Sequence, residues 1–427
     1  MARIKKTYER LSNINMATNK SFLELSDPKW DKLGQASAIA LAFVVPISTA
    51  ITTILVVLCF LAWLLGPNHA QKKDILSSHP IVMWIYALIL LALCGMFYSA
   101  GDEETMRRSL IDSLRLGVIP ILMYFYQDKK IGRLALWAFA CAMIFTMVLA
   151  FGKVYAGLPI GTKYPMGAVF KSHIKTSYFM AIAAFFLAFQ CKYLPKYRWS
   201  LLIIVGFMIY YLLFMSVGRI GYITIVFSFL FLAWQWYRLK GILLATCVAC
   251  AMLVGTYFTS PVFSQRVNLL VQDMDFYHQG GRLIESSLGS RLAFAKTSTA
   301  LIMQEPLLGW GTGSYGAAYA QYHQGEATLL TDNPHNEYLR IAVESGIVGL
   351  LLLLGLFYRQ WQLTSQMPLD IRGFCQGVLL TFMLGCMLNS WLKDFAEGYF
   401  FCLMTAICFA IIPLPSRKLT AKAVLLH

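Results

Sequence analysis

Residues Thr331–Gly349 read TDNPHNEYLRIAVESGIVG. His335 and Asn336 stand at the head of a short helical pattern, and the stretch ends where a long apolar run has begun at Ile347. A polar segment with one histidine, set directly against an apolar run, is where chemistry is expected in this chain. How that run and its counterparts are read decides the fold.

The chain has 427 residues, of which 58% are hydrophobic and only 13% charged. A soluble domain usually carries about 25% charged residues. The apolar residues come in long runs such as Leu201–Met215, Ile220–Trp236 and Leu350–Phe357. A helix needs about 20 apolar residues to cross the hydrocarbon core. Only helices and closed barrels satisfy their backbone in lipid. The runs do not alternate with period two, so helices are expected.

The formal charge is +15. On a soluble protein this would point to nucleic acid. Here most Lys and Arg fall in short loops that would anchor the cytoplasmic side, and no nucleic-acid motif is present. No cleavable signal peptide is expected, because Met1–Lys32 is polar and basic. All ten cysteines lie inside or at the edge of apolar runs, so no disulfide is expected in the longest polar segment. Cys247 and Cys250 form a CxxC inside a span, where packing explains them better than redox chemistry.

Met1–Lys32 reads as a basic cytoplasmic tail. Pro46 with Ser48 and Thr49 interrupts Gln35–Leu65, giving two short helices joined by an outer turn. Spans follow at Ile81–Tyr98, Leu110–Tyr126, Leu134–Phe151, Ser177–Gln190, Trp199–Met215, Ile220–Trp236 and Ile242–Phe258. After the polar segment Thr259–Ser345, spans from Ile347, at Phe374–Trp391 and at Tyr399–Ile412 complete twelve. The organisation is thus a tail (1–32), helices one to nine (33–258), a polar loop (259–345), helices ten to twelve (346–413) and a tail (414–427). With both termini inside, 22 Lys or Arg lie on the inner side and 13 on the outer, with Arg115 in a span. That excess supports the orientation and puts 259–345 outside the cytoplasmic membrane. Trp84, Trp199, Trp236, Trp361 and Trp391 fall near run ends, as an aromatic belt would.

Asp112 and Arg115 lie three apart inside the fourth span and can pair on one helix face. A functional intramembrane pair and a snorkelling arginine are both open. Gly311, Gly313 and Gly316 spell GxGxxG, but no parallel sheet is plausible around them, so a Gly-rich turn between helices is expected. Asp273-x-Asp275 resembles a metal-binding DxD and reads better as a solvated acidic loop. No metal site and no cofactor is expected.

Asn333 suits an N-cap and Pro334 the first helical position, which would put His335 in the first turn. The positive helix end disfavours imidazolium there, so the ring is expected to be neutral and able to accept a proton. A capping or surface histidine is equally open on position alone. Asn336 beside it can orient the ring or a substrate hydroxyl. Arg340 and Glu344 form an i,i+4 pair that reads as structural, with Arg340 also kept as a candidate substrate contact.

Arg219 sits in SVGRIGYI between two apolar runs, flanked by Gly218 and Gly221 that permit close approach. An arginine snorkelling to headgroups is the plainer alternative. Arg291 sits in LGSRLAFAKTSTALIMQEP, a helical pattern ending at Pro306. The loop 259–345 carries eight Asp or Glu against five Lys or Arg, so it is no general polybasic patch. Guanidinium forks pair bidentately with phosphate and can stabilise a lipid diphosphate leaving group. A histidine can take a proton from an attacking hydroxyl. Together these describe glycosyl transfer from a lipid-diphosphate donor.

GSRLAFAKTSTALIMQEPLLGWGTGSY followed by HNEYLRIAVESGIVGL resembles the signature region of the bacterial O-antigen ligase and polymerase superfamily, and within it the lipopolysaccharide O-antigen ligases. The likeness is tight over the long loop and tenth span, and elsewhere rests on span count, length and the tight Arg219 turn. It implies an all-α integral membrane protein of about twelve transmembrane helices, GT-C-like, with one long periplasmic helical loop. It implies transfer of a glycan from undecaprenyl diphosphate to lipid A-core at the periplasmic face of the inner membrane, metal-independent and inverting. By this resemblance His335, Arg219 and Arg291 are catalytic, and Asp394 in the last outer loop matches an acidic substrate-binding residue, joined by Asn336 and Arg340. The implied partners are the lipid-linked glycan, lipid A-core and membrane lipids, with no nucleic acid. An O-antigen polymerase or a protein-glycosylating ligase is the alternative within the class. The short tail after the last span counts against the protein-glycosylating branch. A transporter is the alternative outside the class, and would show paired inverted repeats.

Overall fold

The computed structural model describes residues 28–161, 163, 167–278, 287–325 and 330–413. Both basic tails fall largely outside this range, as do the side chains of residues 273 and 275. Every regular element among the described residues is helical. In chain order these are α1 (Pro28–Val44), α2 (Thr49–Leu65), α3 (His69–Ser78), α4 (Val82–Gly95), α5 (Glu103–Leu114), α6 (Val118–Tyr126), α7 (Lys129–Tyr155) and α8 (His173–Gln190). They continue as α9 (Arg198–Tyr210), α10 (Arg219–Thr259), α11 (Pro261–His278), α12 (Ser287–Gln304), α13 (Tyr315–Tyr322), α14 (Glu337–Leu363), α15 (Leu369–Leu388) and α16 (Phe395–Phe409).

Each apolar run read from the sequence lies mainly in a helix, although the run Phe374–Trp391 leaves its helix at Leu388. The α1–α2 break falls at the Pro46 region, where the Ser48 hydroxyl accepts from the Ile51 amide. Among the described residues, six helical segments can cross a membrane by length and composition, or seven if the bent pair α2–α3 is one span. The chain is therefore a multi-pass membrane protein on the character of its helices.

Helix α10 covers the eighth and ninth runs without a loop. Its 41 residues would extend about 62 Å if straight, twice a hydrocarbon core. It does not run straight: Arg238 has φ 54° and ψ −139°, outside the helical region. The two halves double back on each other. Leu253 lines the same cavity as Phe227 and Leu230. Just beyond α10, the Ser260 hydroxyl donates to the Leu213 carbonyl, close in sequence to the start of the helix.

Helix α14 breaks at Gly346 (φ 61°), and the Ile347 amide turns to the Pro306 carbonyl at 2.9 Å. This separates the polar first half, Glu337–Ser345, from the apolar run beyond. The GxGxxG stretch is a turn between α12 and α13, as its setting suggested. Gly311 and Gly313 have φ of 93° and 73°. The Trp310 and Gly311 amides donate to the Val343 and Glu344 carbonyls, both at 2.9 Å, so they anchor α14 and are not free for an anion.

The core is aromatic. Trp391, read from sequence as part of an interfacial belt, is instead fully buried against Tyr178, with ring centroids 4.2 Å apart. Gly385 makes room for it: a Cβ there would lie inside the indole ring. Cys375 and Cys408 join α15 to α16 as a disulfide that the run-by-run reading of the cysteines did not foresee.

Candidate functional site

Three arginines line one cavity of about 700 Å³. Arg219 opens α10, Arg266 comes from α11, and Arg291 from α12. All three are half-buried. Among the described residues none has a carboxylate partner. Burial, and then the like charge of Arg219, push Arg291 below the ordinary arginine range. Burial and then Arg266 push His173, at the start of α8, below the ordinary histidine range. The rest of the wall is apolar, including Ile223, Phe227, Leu230, Leu253 and Leu270. A cationic end above an apolar lane suits a ligand with an anionic head and a hydrocarbon tail.

Arg219 reaches this position through its glycines. A Cβ at Gly218 would lie 2.7 Å from the His173 carbonyl oxygen, and one at Gly221 would lie 2.9 Å from Leu212 Cδ2. The close approach is thus to α8 and to the turn just beyond α9. The Ser216 carbonyl accepts from the Tyr222 hydroxyl at 2.5 Å, which ties off the turn. Arg266 was missed in the sequence, because VFSQRVNLL carries no motif and only its place on α11 turns the side chain inward.

His335 stands beside this cavity. It lies in the left-handed region (φ 54°), half-buried. The helix start differs from the expectation. Asn333 is not the cap and His335 is not in the first turn: α14 begins at Glu337, with Asn336 as N-cap accepting from the Leu339 amide at 3.1 Å. Asn333 instead closes a turn onto the His335 amide at 2.8 Å, since the residue before a proline favours extended backbone and Asn readily forms such turns. The His335 ring faces Phe294, one turn beyond Arg291, at 6.2 Å between centroids.

His335 Nδ1 lies 2.9 Å from Asn389 Oδ1. Asn389 Nδ2 donates to Asp394 Oδ2 at 2.8 Å. A carboxylate only accepts, so the amide nitrogen of Asn389 faces Asp394 and its oxygen faces the histidine. His335 then donates from Nδ1, and Nε2 keeps the lone pair. Asn389 follows Leu388, which lines the arginine cavity. Asn336 was expected to orient the ring or a substrate hydroxyl; the ring is held by Asn389 instead, while the Asn336 amide nitrogen donates to the Met387 carbonyl at 3.1 Å.

Asp394 is the end of this relay, with Lys175 Nζ 3.7 Å away. Burial, opposed by Lys175, holds it above the ordinary aspartate range. The loop 389–394 is laced to the histidine loop. Ser390 donates to Asn333 at 2.7 Å, and Lys393 pairs with Asp332 at 2.9 Å. Arg115 supports the same loop from below. It pairs with Asp112, as their spacing suggested, and donates to the Asp394 carbonyl at 2.8 Å.

Arg340 does not face the cavity. It is buried between Glu337 and Glu344, and Glu337 also accepts from the Leu392 amide at 2.8 Å. Its guanidinium is taken up by two carboxylates, so it supports the site and offers no free edge to a substrate. Among the described residues no group of three or more His, Cys, Asp or Glu side chains is placed to hold a metal ion.

No curated protein matches the chain. A chain of the structure reported as "Structural coordination of polymerization and crosslinking by a peptidoglycan synthase complex" aligns with a TM-score of 0.44 at 17% identity, covering 79% of this chain and 97% of that one. Residues 203–354 match the family described as O-antigen ligase. That segment contains Arg219, Arg266, Arg291 and His335; Asn389 and Asp394 lie beyond it. Over residues 203–354 the chain is thus similar to the O-antigen ligase family, which supports a place in the O-antigen ligase/polymerase superfamily.

Proposed function

We propose that this protein is an O-antigen ligase. It transfers a glycan from undecaprenyl diphosphate to lipid A-core at the periplasmic face of the inner membrane. The observation that carries the reading is the convergence of Arg219, Arg266 and Arg291 on one cavity with an apolar wall, beside a histidine whose Nδ1 is held by Asn389. The twelve-helix, GT-C-like arrangement with residues 259–345 outside the membrane belongs to the same proposal.

In this reading the lipid diphosphate lies against the arginines and its polyprenyl chain follows the apolar wall. The acceptor hydroxyl attacks the anomeric carbon from the face opposite the leaving group. A carbon–oxygen bond forms to the acceptor, and the bond from the anomeric carbon to the diphosphate oxygen breaks. His335 Nε2 takes the hydroxyl proton. The arginines neutralise the negative charge that develops on the departing diphosphate. Inversion at the anomeric carbon follows from the single displacement. The phosphate-linked donor supplies the driving force, so no ATP enters. Asp394 acts through Asn389, and Asn336 and Arg340 hold the helix that follows the histidine.

The test combines purified protein, undecaprenyl-diphosphate-linked glycan and lipid A-core, with chelator and without ATP. A ladder of glycosylated lipid A-core supports the ligase. Longer lipid-linked glycan with lipid A-core untouched would reassign the protein as a polymerase. No transfer to any acceptor by folded protein would favour a transporter.

A further inference from the structure

A second cavity, of about 870 Å³, lies at the other end of the helix bundle. Helix α15 runs from Leu369, which lines this cavity, to Leu388, which lines the arginine site. Its 20 residues extend about 30 Å, the thickness of a hydrocarbon core. Helix α14 makes the same journey, from Glu337 beside His335 to Arg359 and Trp361 at this end. The two cavities therefore belong to opposite membrane surfaces.

Four cations, Lys192, Arg238, Arg359 and Arg372, line this second cavity, and no Asp or Glu does. They come from the connection after α8, the break in α10, the last turns of α14 and the first turn of α15, which converge here. None is in a salt bridge among the described residues. The nearby carboxylate of Asp370 is turned away to Arg133. Trp234, Trp236 and Trp361 form part of the walls, as rings at a membrane interface do. Arg238 is the residue at which α10 leaves helical geometry. Its φ of 54° is a strained conformation for a side-chain-bearing residue, and its guanidinium lies 5.7 Å from the centroid of the Trp234 ring. Gln235 adds an acceptor. Its amide nitrogen donates to the Gly373 carbonyl at 3.2 Å, which leaves Oε1 buried with no donor.

We infer that this cavity binds the headgroup of an anionic phospholipid whose headgroup carries hydroxyls, of the phosphatidylglycerol type. The guanidinium groups take the phosphodiester, the tryptophans flank the glycerol backbone, and a headgroup hydroxyl donates to Gln235 Oε1. Scattered cytoplasmic cations would orient a membrane protein equally well from separate loops. Their convergence on one cavity between helices is the arrangement that selects a headgroup. This site is independent of the glycosyl-transfer reading.

The experiment uses full-length protein, delipidated in neutral detergent and titrated by native mass spectrometry. The probes are phosphatidylglycerol, phosphatidylcholine, phosphatidic acid and inorganic phosphate. One saturable phosphatidylglycerol is expected, bound about tenfold or more tightly than phosphatidylcholine, a difference of about 1.4 kcal/mol. The triple variant Arg238→Gln, Arg359→Gln, Arg372→Gln should lose that preference, while Arg219→Gln at the far end keeps it. Gln235→Leu should weaken phosphatidylglycerol and leave phosphatidic acid unchanged. If the triple variant does not fold, Arg359→Gln alone carries the comparison. Equal binding of phosphatidylcholine, or phosphatidylglycerol binding unchanged in the arginine variants, would overturn the inference. Inorganic phosphate bound as tightly as the lipid would also overturn it, by assigning the cavity to a soluble phosphate.

Discussion

His335 and Asn389, 54 positions apart in the chain, meet at 2.9 Å between Nδ1 and Oδ1. The amide of Asn389 is itself oriented by Asp394 at 2.8 Å, so the pair fixes which ring nitrogen carries the proton. Replacing Asn389 by Leu removes that constraint without adding charge. In a glycan-transfer assay Asn389→Leu should lower kcat by about 10²-fold, within the usual range for general base catalysis. KM for the lipid-linked donor should stay close to wild type, because the arginines are untouched. A large rise in donor KM with kcat preserved would contradict the positioning role.

Arg266 joins Arg219 and Arg291 around one cavity. Arg266→Gln should raise KM for the lipid-diphosphate donor by about tenfold, the loss expected for one charge-assisted contact. The same substitution should leave the affinity for acceptor unchanged. Steady-state kinetics with each substrate varied in turn separates the two.

Arg340 gives the contrasting case. Its guanidinium lies between Glu337 and Glu344 in the protein interior. Arg340→Gln would leave two buried carboxylates uncompensated, a loss of about 3–5 kcal/mol. Thermal unfolding in detergent should show a markedly lower midpoint, and any loss of activity should track the loss of folded protein. A folded, inactive Arg340→Gln protein would return Arg340 to the substrate contacts.

Lys171 makes a pH-dependent prediction. It is buried in the loop before α8, and burial, then the like charge of Lys175, push it down to about 8, against the pull of Glu397. In the unfolded chain it returns to the ordinary lysine value. Between these two values the unfolded chain holds a proton that the folded chain has released, so stability rises with pH. The contribution is complete above the ordinary value and is lost as pH falls through about 8. The unfolding midpoint of wild type should therefore show an upward component from pH 8 to 10 that is missing in Lys171→Met. At pH 7 the variant should be the more stable of the two.

The helices could be read from the sequence, and of the side chains used in the proposed mechanism His335, Arg219, Arg291 and Asp394 could be picked out there, for identifiable reasons. Apolar runs of membrane length announce themselves, and a proline or a charged pair marks their ends. His335, Arg219 and Arg291 sit in short stretches with recognisable spacing. Arg266 had no such setting: it is one cation on a polar helix, and only the packing of α11 against α10 turns it into the cavity. Asn389 was invisible because its partner is 54 positions away and no local pattern links them. The start of α14 moved from Asn333 to Asn336 because two asparagines compete for one cap. The one nearer the helix took it, while the other bonded its own chain two residues on. Trp391 sits at the end of an apolar run, as a belt residue would, yet Gly385 opens a place for it in the core.

The proposed mechanism turns on one role, that of His335 as the base for transfer from a lipid diphosphate held by arginines. It is tested most directly by single-turnover glycan transfer to lipid A-core, comparing wild type with His335→Ala at donor concentrations that saturate both. His335→Ala should bind the donor as wild type does, with a transfer rate lower by about 10²-fold or more. Transfer by His335→Ala at the wild-type rate would contradict it.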